Sequence, residues 1–195
     1  MKNNLQYQPL FPSDYVSIFS ENDWMKLDRI VHSVLTQAPD IFEYPVYGDS
    51  RNEKVKLRVA RFIVRKNGFS EIVNEFYTSQ ILSVFLQSAF IEHVEKKTNL
   101  KKLNILRMQL NVMEADSLVG IHTDKESDGS FEVTSVIRTH SLHSGGELCI
   151  YENVPKIIHQ KNHTVFLMDS NLEHEVKTVQ TGLRNSLIIL LGKSV

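Results

Sequence analysis

Residues 104–139, NILRMQLNVMEADSLVGIHTDKESDGSFEVTSVIRT, contain the pattern that is most informative about the fold. Three segments within it, 104–113, 119–123 and 131–139, alternate apolar with polar residues or run apolar. Turn formers such as Asp128-Gly129 separate them. Alternation with a period of two is typical of strands, and turn residues mark where each strand ends. The stretch therefore predicts three consecutive short strands.

The same pattern continues through the rest of the chain. The further candidate strands are 146–151, 156–160, 163–168, 173–179 and 185–191, and the breakers between them are Gly145-Gly146, Asn153 with Pro155, Asp169-Ser170-Asn171 and Thr181-Gly182. We interpret Gly145-Gly146 as a turn and not as a phosphate cradle, because no Lys-Ser/Thr pair follows. Many short strands with regular turn signals favour a double-sheet jelly roll, also called a double-stranded β-helix.

The first strand has one apolar and one polar face. The apolar face is Leu106, Met108, Leu110 and Val112, and the polar face is Arg107, Gln109 and Asn111. Two interpretations of the polar row stay open at this point. It either faces solvent or lines the mouth of the barrel, where a polar ligand binds.

The first half of the chain is mainly helical in pattern. Ser20 and Asp23 form a plausible capping pair, and Pro39 closes the segment that follows. The apolar stripe of this helix is Trp24, Leu27, Ile30, Val31, Val34 and Leu35. Residues 55–65 alternate as a strand, and 79–96 predict a second helix, with the stripe Ile81, Leu82, Phe85, Leu86, Ala89, Phe90 and Val94.

These patterns together predict an α+β fold. We expect a single domain over 1–195, with a helical support region containing a strand in 1–102. A jelly-roll core follows in 103–193, and the N-terminal helices pack on one of its sheets.

Composition and charge narrow the classes of protein. The chain has 195 residues, 42% of them hydrophobic, and a net charge of -1 without a basic tail, so nothing favours a nucleic-acid partner. The longest apolar run, 187–191, is far too short to span a bilayer. The single cysteine, Cys149, cannot form an internal disulfide, and the first residues lack the apolar core of a secretory signal. We expect a cytoplasmic protein without a membrane partner; the oligomeric state stays open.

The residues with the clearest chemistry are His122 and Asp124. They lie two positions apart, so both side chains fall on the same side of an extended chain and can ligate one metal ion. One more histidine would complete a facial triad of two histidines and a carboxylate, which leaves positions open on an octahedral ion. Such triads are typical of non-haem Fe(II) oxygenases.

The downstream spacing supplies that histidine. His174 follows His122 by 174 − 122 = 52 positions, and Arg184 follows His174 by 184 − 174 = 10. With these spacings, residues 103–193 resemble the 2-oxoglutarate/Fe(II)-dependent dioxygenases of the prolyl-hydroxylase-like type. The flanks that agree are Gly120, Gly145-Gly146-Glu147-Leu148, Phe166-Leu167-Met168-Asp169 and His174-Glu175-Val176. The resemblance implies Fe(II) held by His122, Asp124 and His174, with 2-oxoglutarate and dioxygen as co-substrates.

Arg184 and Ser186 are the candidates for binding 2-oxoglutarate. The planar guanidinium of Arg184 matches a carboxylate in a bidentate fashion, and Ser186 lies on the same strand face. Arg184-Asn185-Ser186 resembles the Arg-x-Ser pair that some branches of the family use for the distal carboxylate of the keto acid. Many relatives also place a tyrosine near the co-substrate; this chain lacks it, and Gln109 or Asn111 would substitute.

The substrate side is less defined by the sequence. Arg107 and Arg138 are candidates to pair with an anionic group of the substrate, and surface roles for both stay open. The loops 40–54 and 125–130 are expected to cover the site. We expect structural or surface roles for the remaining histidines, which are His32, His93, His140, His143, His159 and His163.

The resemblance implies hydroxylation of an unactivated C–H bond in a small amino-acid-like metabolite or a peptide side chain. Halogenases of the family lack the carboxylate that Asp124 supplies, so its presence favours hydroxylation. Desaturation and cyclisation stay open. The alternatives from other classes are a non-catalytic jelly-roll ligand-binding module and a zinc-dependent hydrolase that uses the same triad.

Overall fold

The computed structural model describes residues 7–10, 18–44 and 57–193. Its helices are α1 (Glu21–Gln37), α2 (Glu75–Gln87) and α3 (Phe90–Thr98). Its strands are β1 (Tyr7–Leu10), β2 (Phe42–Glu43), β3 (Leu57–Lys66), β4 (Phe69–Ile72), β5 (Asn104–Met113), β6 (Val119–His122), β7 (Phe131–Arg138), β8 (His143–Gly145), β9 (Leu148–Tyr151), β10 (Pro155–Ile158), β11 (Thr164–Asp169), β12 (Glu173–Val176), β13 (Val179–Gly182) and β14 (Arg184–Gly192). Within these ranges, no helix has the length and apolar character that a bilayer crossing requires.

The strands form a jelly roll, as the sequence predicts. The larger sheet has the order β1-β11-β7-β14-β5-β3-β2, with β4 paired to β3. A smaller sheet has the order β10-β9-β12-β6, and β13 pairs with β8. The first half of the chain contributes β1 to β4 to the larger sheet, which is more than the one strand expected there.

The helices cover the outer face of the larger sheet. Ser20 caps α1 in a capping box, since its hydroxyl accepts from the Asp23 amide at 3.2 Å and its own amide donates to the Asp23 carboxylate at 3.1 Å. The apolar stripe of α1 then packs against one face of β5, β7 and β14. Members of this core include Leu27, Val34, Leu110, Ile137 and Leu187, all fully buried.

The prediction of one continuous helix over 79–96 is wrong. Two helices occupy this region, and the chain turns between them at Ala89, where φ is +51°. The turn brings Phe90 fully into the core, where its ring stacks on Phe85 at a centroid distance of 4.7 Å. Leu86, placed in the predicted stripe, is 84% exposed. The burial of Phe90 outweighs the local cost of a positive φ at alanine.

The predicted faces of β5 hold for most of the strand but not for Leu106. Leu190 pairs with Arg107 and Leu191 pairs with Ile105, so the ladder skips Leu106 as a β-bulge. The bulge turns Leu106 away from the helices, and it packs instead with Phe131 and Leu190. Met108, Leu110 and Val112 remain on the helix face.

Several strand limits differ from the predicted ones. The segment 173–179 is divided between β12 and β13, and 146–151 begins as a strand only at Leu148. The predicted strand 55–65 corresponds to β3, and its first residues lie outside the described part of the chain. Gly145 is the last residue of β8 and Gly146 follows it, and their φ of +69° and +71° lie in the left-handed region that favours glycine.

Candidate functional site

The two histidines of the candidate triad are brought together by strand pairing. β6 and β12 are antiparallel neighbours, and His174 lies directly opposite His122 in their register. Side chains opposite each other in a sheet share a face, so the two rings lie with centroids 4.3 Å apart. Asp124 follows at the start of a 3-10 turn, Asp124–Glu126, which returns its carboxylate towards the rings.

The ligand atoms of the triad converge on one point. His122 Nε2 lies 3.8 Å from Asp124 Oδ1, and His174 Nε2 lies 3.7 Å from Asp124 Oδ2. One ligand atom from each residue lies within 4.8 Å of the others. This separation suits a single ion with metal–ligand bonds of roughly 2 Å.

Backbone carbonyls fix the tautomer of both rings. His122 Nδ1 lies 2.8 Å from Gly120 O, and His174 Nδ1 lies 2.9 Å from Leu172 O. A carbonyl only accepts, so each Nδ1 carries the proton and each Nε2 presents a lone pair. Burial lowers the pKa of His174, although Asp124 acts in the opposite direction, and this favours the neutral imidazole that a metal requires.

Two hydroxyl groups that the sequence analysis missed support the carboxylate. Thr134 Oγ1 donates to Asp124 Oδ2 at 2.6 Å and lies 3.0 Å from Ser170 Oγ. Both hydroxyl residues are buried. The only trace of Thr134 in the sequence is a polar residue at an inward position of β7, a strand that also contains Glu132, Ser135 and Arg138.

The triad lines a cavity between the two sheets that also contains Arg184. The apolar part of the lining comes from both sheets and includes Met113, Val136, Leu148, Met168 and Ile188. Its polar part consists of His122, Thr123, Asp124, Thr134, His174, Arg184, Gln109, Asn111, Arg107, Glu126 and Ser127. A small molecule in this cavity can therefore contact the triad and a guanidinium together.

Arg184 is a buried cation that has no carboxylate partner among the described residues. Its side chain is 4% exposed, and its Nη1 lies 3.7 Å from Met113 Sδ, a weak acceptor. Among the described residues, no carboxylate oxygen lies within 4.0 Å of this guanidinium. Burial lowers the pKa of Arg184 to about 10, with Glu147 acting in the opposite direction, so the group stays charged at neutral pH. A buried cation in such surroundings is poised for an anionic ligand.

Ser186 and Arg138 are adjacent to the cavity but are not among the described residues that line it. Both side chains are buried, and Arg138 Nη1 donates to Ser186 Oγ at 2.9 Å. Arg138 therefore does not lie where a substrate in the cavity would meet it directly. The inward position of the Arg138 side chain follows from the alternation of side chains along β7. The sequence alone left open whether Arg138 contacts substrate or lies at the surface.

The polar row of β5 faces the cavity. Gln109 Nε2 donates to Asn111 Oδ1 at 2.8 Å, and Arg61 Nη1 donates to Gln109 Oε1 at 3.4 Å. Arg107 lies near the turn that carries Asp124, since its Nη1 donates to Ser127 Oγ at 3.2 Å. The sequence left open whether this polar row faces solvent or lines the mouth of the barrel. The structure favours the second interpretation, because all three side chains line the cavity.

The segments expected to cover the site are only partly described. Residues 45–54 of the predicted loop 40–54 lie outside the described residues. In the loop 125–130, Asp128 accepts from Arg65 at 3.3 Å and from the Ser130 hydroxyl at 2.5 Å. These contacts hold this loop against β3.

The sequence matches no protein-family model and no curated protein. Solved structures nevertheless resemble the fold over nearly the whole chain. A Burkholderia pseudomallei oxidoreductase of the 2OG-Fe(II) oxygenase family is 23% identical with a TM-score of 0.81, and the match covers 97% of this chain and 86% of that one. A Trichoplax adhaerens prolyl hydroxylase, solved with a peptide fragment of the hypoxia inducible factor oxygen degradation domain, is 14% identical with a TM-score of 0.72, covering 98% and 85%. SnoN, a non-haem α-ketoglutarate-dependent epimerase from nogalamycin biosynthesis, is 7% identical with a TM-score of 0.70, covering 96% and 77%. The chain thus has the jelly-roll fold of these proteins.

Proposed function

We propose that this chain is an Fe(II)- and 2-oxoglutarate-dependent oxygenase. The observation that carries the proposal is one cavity lined by both a triad of candidate metal ligands and the buried Arg184, which has no carboxylate partner among the described residues. A ligand-binding module has no need for converging Nε2 lone pairs, and a zinc hydrolase has no need for a buried guanidinium beside its metal. The fold shared with 2OG-Fe(II) oxygenases supports the same function.

His122, Asp124 and His174 would hold the iron. The donor set fits Fe(II), because two neutral imidazoles and one carboxylate leave three positions of an octahedral ion open. When bound, Fe(II) would activate dioxygen as 2-oxoglutarate is decarboxylated to succinate. Thr134 and Ser170 would orient the Asp124 carboxylate, and the Gly120 and Leu172 carbonyls would orient the imidazoles.

Arg184 would bind the distal carboxylate of 2-oxoglutarate. The charge-assisted contact would satisfy its buried guanidinium, and the Ser186 hydroxyl on the same face of β14 would donate a further hydrogen bond. Gln109 and Asn111 supply amide groups along the cavity wall and take the place of the tyrosine common in relatives. The apolar lining would exclude water from the keto acid between these groups.

The substrate would enter at the end of the cavity that contains Arg107. Arg107 lies beside Ser127 and Glu126, next to the turn that carries Asp124, and offers a cation to an anionic substrate group. We propose hydroxylation of a C–H bond in an amino-acid-like metabolite or a peptide side chain. The Trichoplax enzyme was solved with a peptide, whereas SnoN is an epimerase, so reaction outcome must be measured.

Succinate formation tests the function. The purified protein with Fe(II), 2-oxoglutarate and dioxygen should form succinate, and a true substrate should gain one oxygen atom labelled from oxygen-18 gas. His174→Ala should form none, and His32→Ala, an exposed histidine on α1, should match the parent protein. Ligand binding without succinate would indicate a binding module, and zinc-dependent hydrolysis would indicate the hydrolase. Loss of two hydrogens from the substrate would contradict hydroxylation alone.

A further inference from the structure

Arg138 is a second buried arginine next to the proposed 2-oxoglutarate site. It is 1% exposed, and all the acceptors of its guanidinium in the described structure are neutral: Asn185 O, Ser186 Oγ, Ser141 Oγ and His143 Nε2. Among the described residues, no carboxylate oxygen lies within 4.0 Å of it. A fully buried cation held only by dipoles is costly to keep in a fold, so its presence needs a reason.

The surroundings hold Arg138 in a single orientation. His143 Nδ1 lies 3.0 Å from Gly145 O and therefore carries the ring proton, which leaves Nε2 to accept from Arg138. Burial lowers the pKa of Arg138 well below its ordinary value, and the charge of Arg184 acts in the same direction. The two arginines therefore repel each other across the inner face unless an anion lies near them.

Arg138 also determines where the Ser186 hydroxyl proton points. A hydroxyl has one proton and two acceptor sites, and Arg138 Nη1 occupies an acceptor site of Ser186 at 2.9 Å. The proton is then directed away from Arg138. Ser186 lies between Arg184 and Ile188 on the inward face of β14, and both of these residues line the cavity.

We propose that Arg138 is a positioning residue that makes the site selective for keto acids with a second, distal carboxylate. It orients the Ser186 hydroxyl as a donor to that carboxylate and adds a second positive charge behind it. The inference rests on the proposed function, because it assigns the anion at Arg184 to 2-oxoglutarate.

A comparison of two keto acids distinguishes a loss of selectivity for the distal carboxylate from a general loss of binding. 2-Oxoglutarate and 2-oxobutyrate share the keto-acid end, but only the first has a distal carboxylate. Their dissociation constants are measured by calorimetry without oxygen on the Fe(II)-loaded protein. Arg138→Gln should weaken 2-oxoglutarate binding by about tenfold or more, as expected for hydrogen bonds to a charged group, and should change 2-oxobutyrate binding by less than about twofold.

The serines on either side of Arg138 provide matched variants. Ser186→Ala should also lower the selectivity, whereas Ser141→Ala removes an acceptor on the other side of the guanidinium and should leave selectivity unchanged. In the double variant of Arg138→Gln and Ser186→Ala, the two losses should be less than multiplicative, because Arg138 acts partly through Ser186. If Arg138→Gln does not fold, Arg138→Lys, which keeps the charge without the fork, should show a smaller loss of the same kind.

The possible results distinguish the positioning role of Arg138 from the proposed oxygenase function on which it rests. Absence of 2-oxoglutarate binding to the parent protein would overturn both. Binding in the parent protein, with equal losses for both keto acids in the Arg138 variant, would overturn only the positioning role. Unchanged selectivity in Ser186→Ala, or fully multiplicative losses in the double variant, would overturn it as well.

Discussion

Thr134 orients the Asp124 carboxylate of the proposed metal site, because its hydroxyl donates to Asp124 Oδ2 at 2.6 Å. Thr134→Val keeps the shape of the buried side chain and removes only this donor. Loss of such an outer contact typically weakens metal affinity by roughly 10- to 100-fold. We expect a loss in this range, measured by anaerobic Fe(II) titration.

Thr139→Val is the matched control for that measurement. Thr139 is equally buried, but its hydroxyl donates to Asn185 Oδ1 at 2.7 Å and does not contact the triad. Thr139→Val should lower the free energy of unfolding without changing the affinity for Fe(II). Equal affinities in the two variants would mean that Thr134 does not support the site.

At the same scale, the sequence predicts ligands better than the residues that support them. The resemblance to a family pattern predicts His122, Asp124, His174 and Arg184 through the His-x-Asp triplet and the intervals of 52 and 10 positions, and the structure brings all four to one cavity. The Asp124–Thr134 contact depends on how β7 and the turn after β6 are placed, which no local pattern encodes. The sequence predicts Arg138 as a candidate substrate contact, because the residues around it in the chain do not reveal that its guanidinium is enclosed by side chains from other segments.

At the scale of elements, the turn after β8 supports Arg184. A Cβ added at Gly146 would lie 2.7 Å from Arg184 Cδ and 3.0 Å from Val179 Cγ2, so only glycine lets the arginine stem pass. Gly146→Ala should displace Arg184 and raise the 2-oxoglutarate dissociation constant severalfold, while Fe(II) affinity should stay within about twofold. Calorimetry with each ligand measures both.

Gly68→Ala controls for backbone strain in that comparison. Gly68 also has a positive φ, +82°, but an added Cβ there meets nothing within 4 Å. The free energy of unfolding of Gly68→Ala should fall by about 1 kcal/mol, as expected for an alanine in the left-handed region of φ. The variant should bind Fe(II) and 2-oxoglutarate like the parent protein. If Gly68→Ala weakened 2-oxoglutarate binding as much as Gly146→Ala, strain and not contact with Arg184 would be the cause.

The elements that were mispredicted share one physical reason. Local periodicity favoured a continuous helix over 79–96, yet burial of Phe90 requires the turn at Ala89. The bulge at Leu106 likewise depends on the partner strand β14. The succession of short strands after residue 103 was predictable because it depends on local patterns, whereas these irregularities and the exact number and limits of the strands depend on long-range packing.

At the scale of the whole molecule, the contact between buried Arg138 and half-buried His143 makes stability depend on pH. Burial lowers the pKa of His143 below its ordinary value of 6.5, and the charge of Arg138 lowers it further. The unfolded chain therefore takes up the proton near pH 6.5, before the folded chain does. This contribution to the free energy of unfolding is fully present above pH 6.5 and is lost as pH falls towards the folded pKa.

His143→Gln removes the titrating group, so its unfolding free energy should depend less on pH between about 5 and 7. Urea unfolding of the metal-free protein across this range measures the difference. His32→Gln, at an exposed position, should follow the parent protein. Parallel curves for the parent protein and His143→Gln would contradict a half-buried His143 that stays neutral in the folded chain.

We expect one cavity to bind Fe(II) through the triad and 2-oxoglutarate through Arg184. The most direct measurement is anaerobic titration of the Fe(II)-loaded protein with 2-oxoglutarate, followed by the weak visible absorption band of the chelate. The band should appear in the parent protein and be absent in His174→Ala. In Arg184→Ala it should require at least tenfold more 2-oxoglutarate, because loss of a buried charged partner typically costs about 2–5 kcal/mol. Absence of the band from the parent protein, or an unchanged titration in Arg184→Ala, would contradict the account.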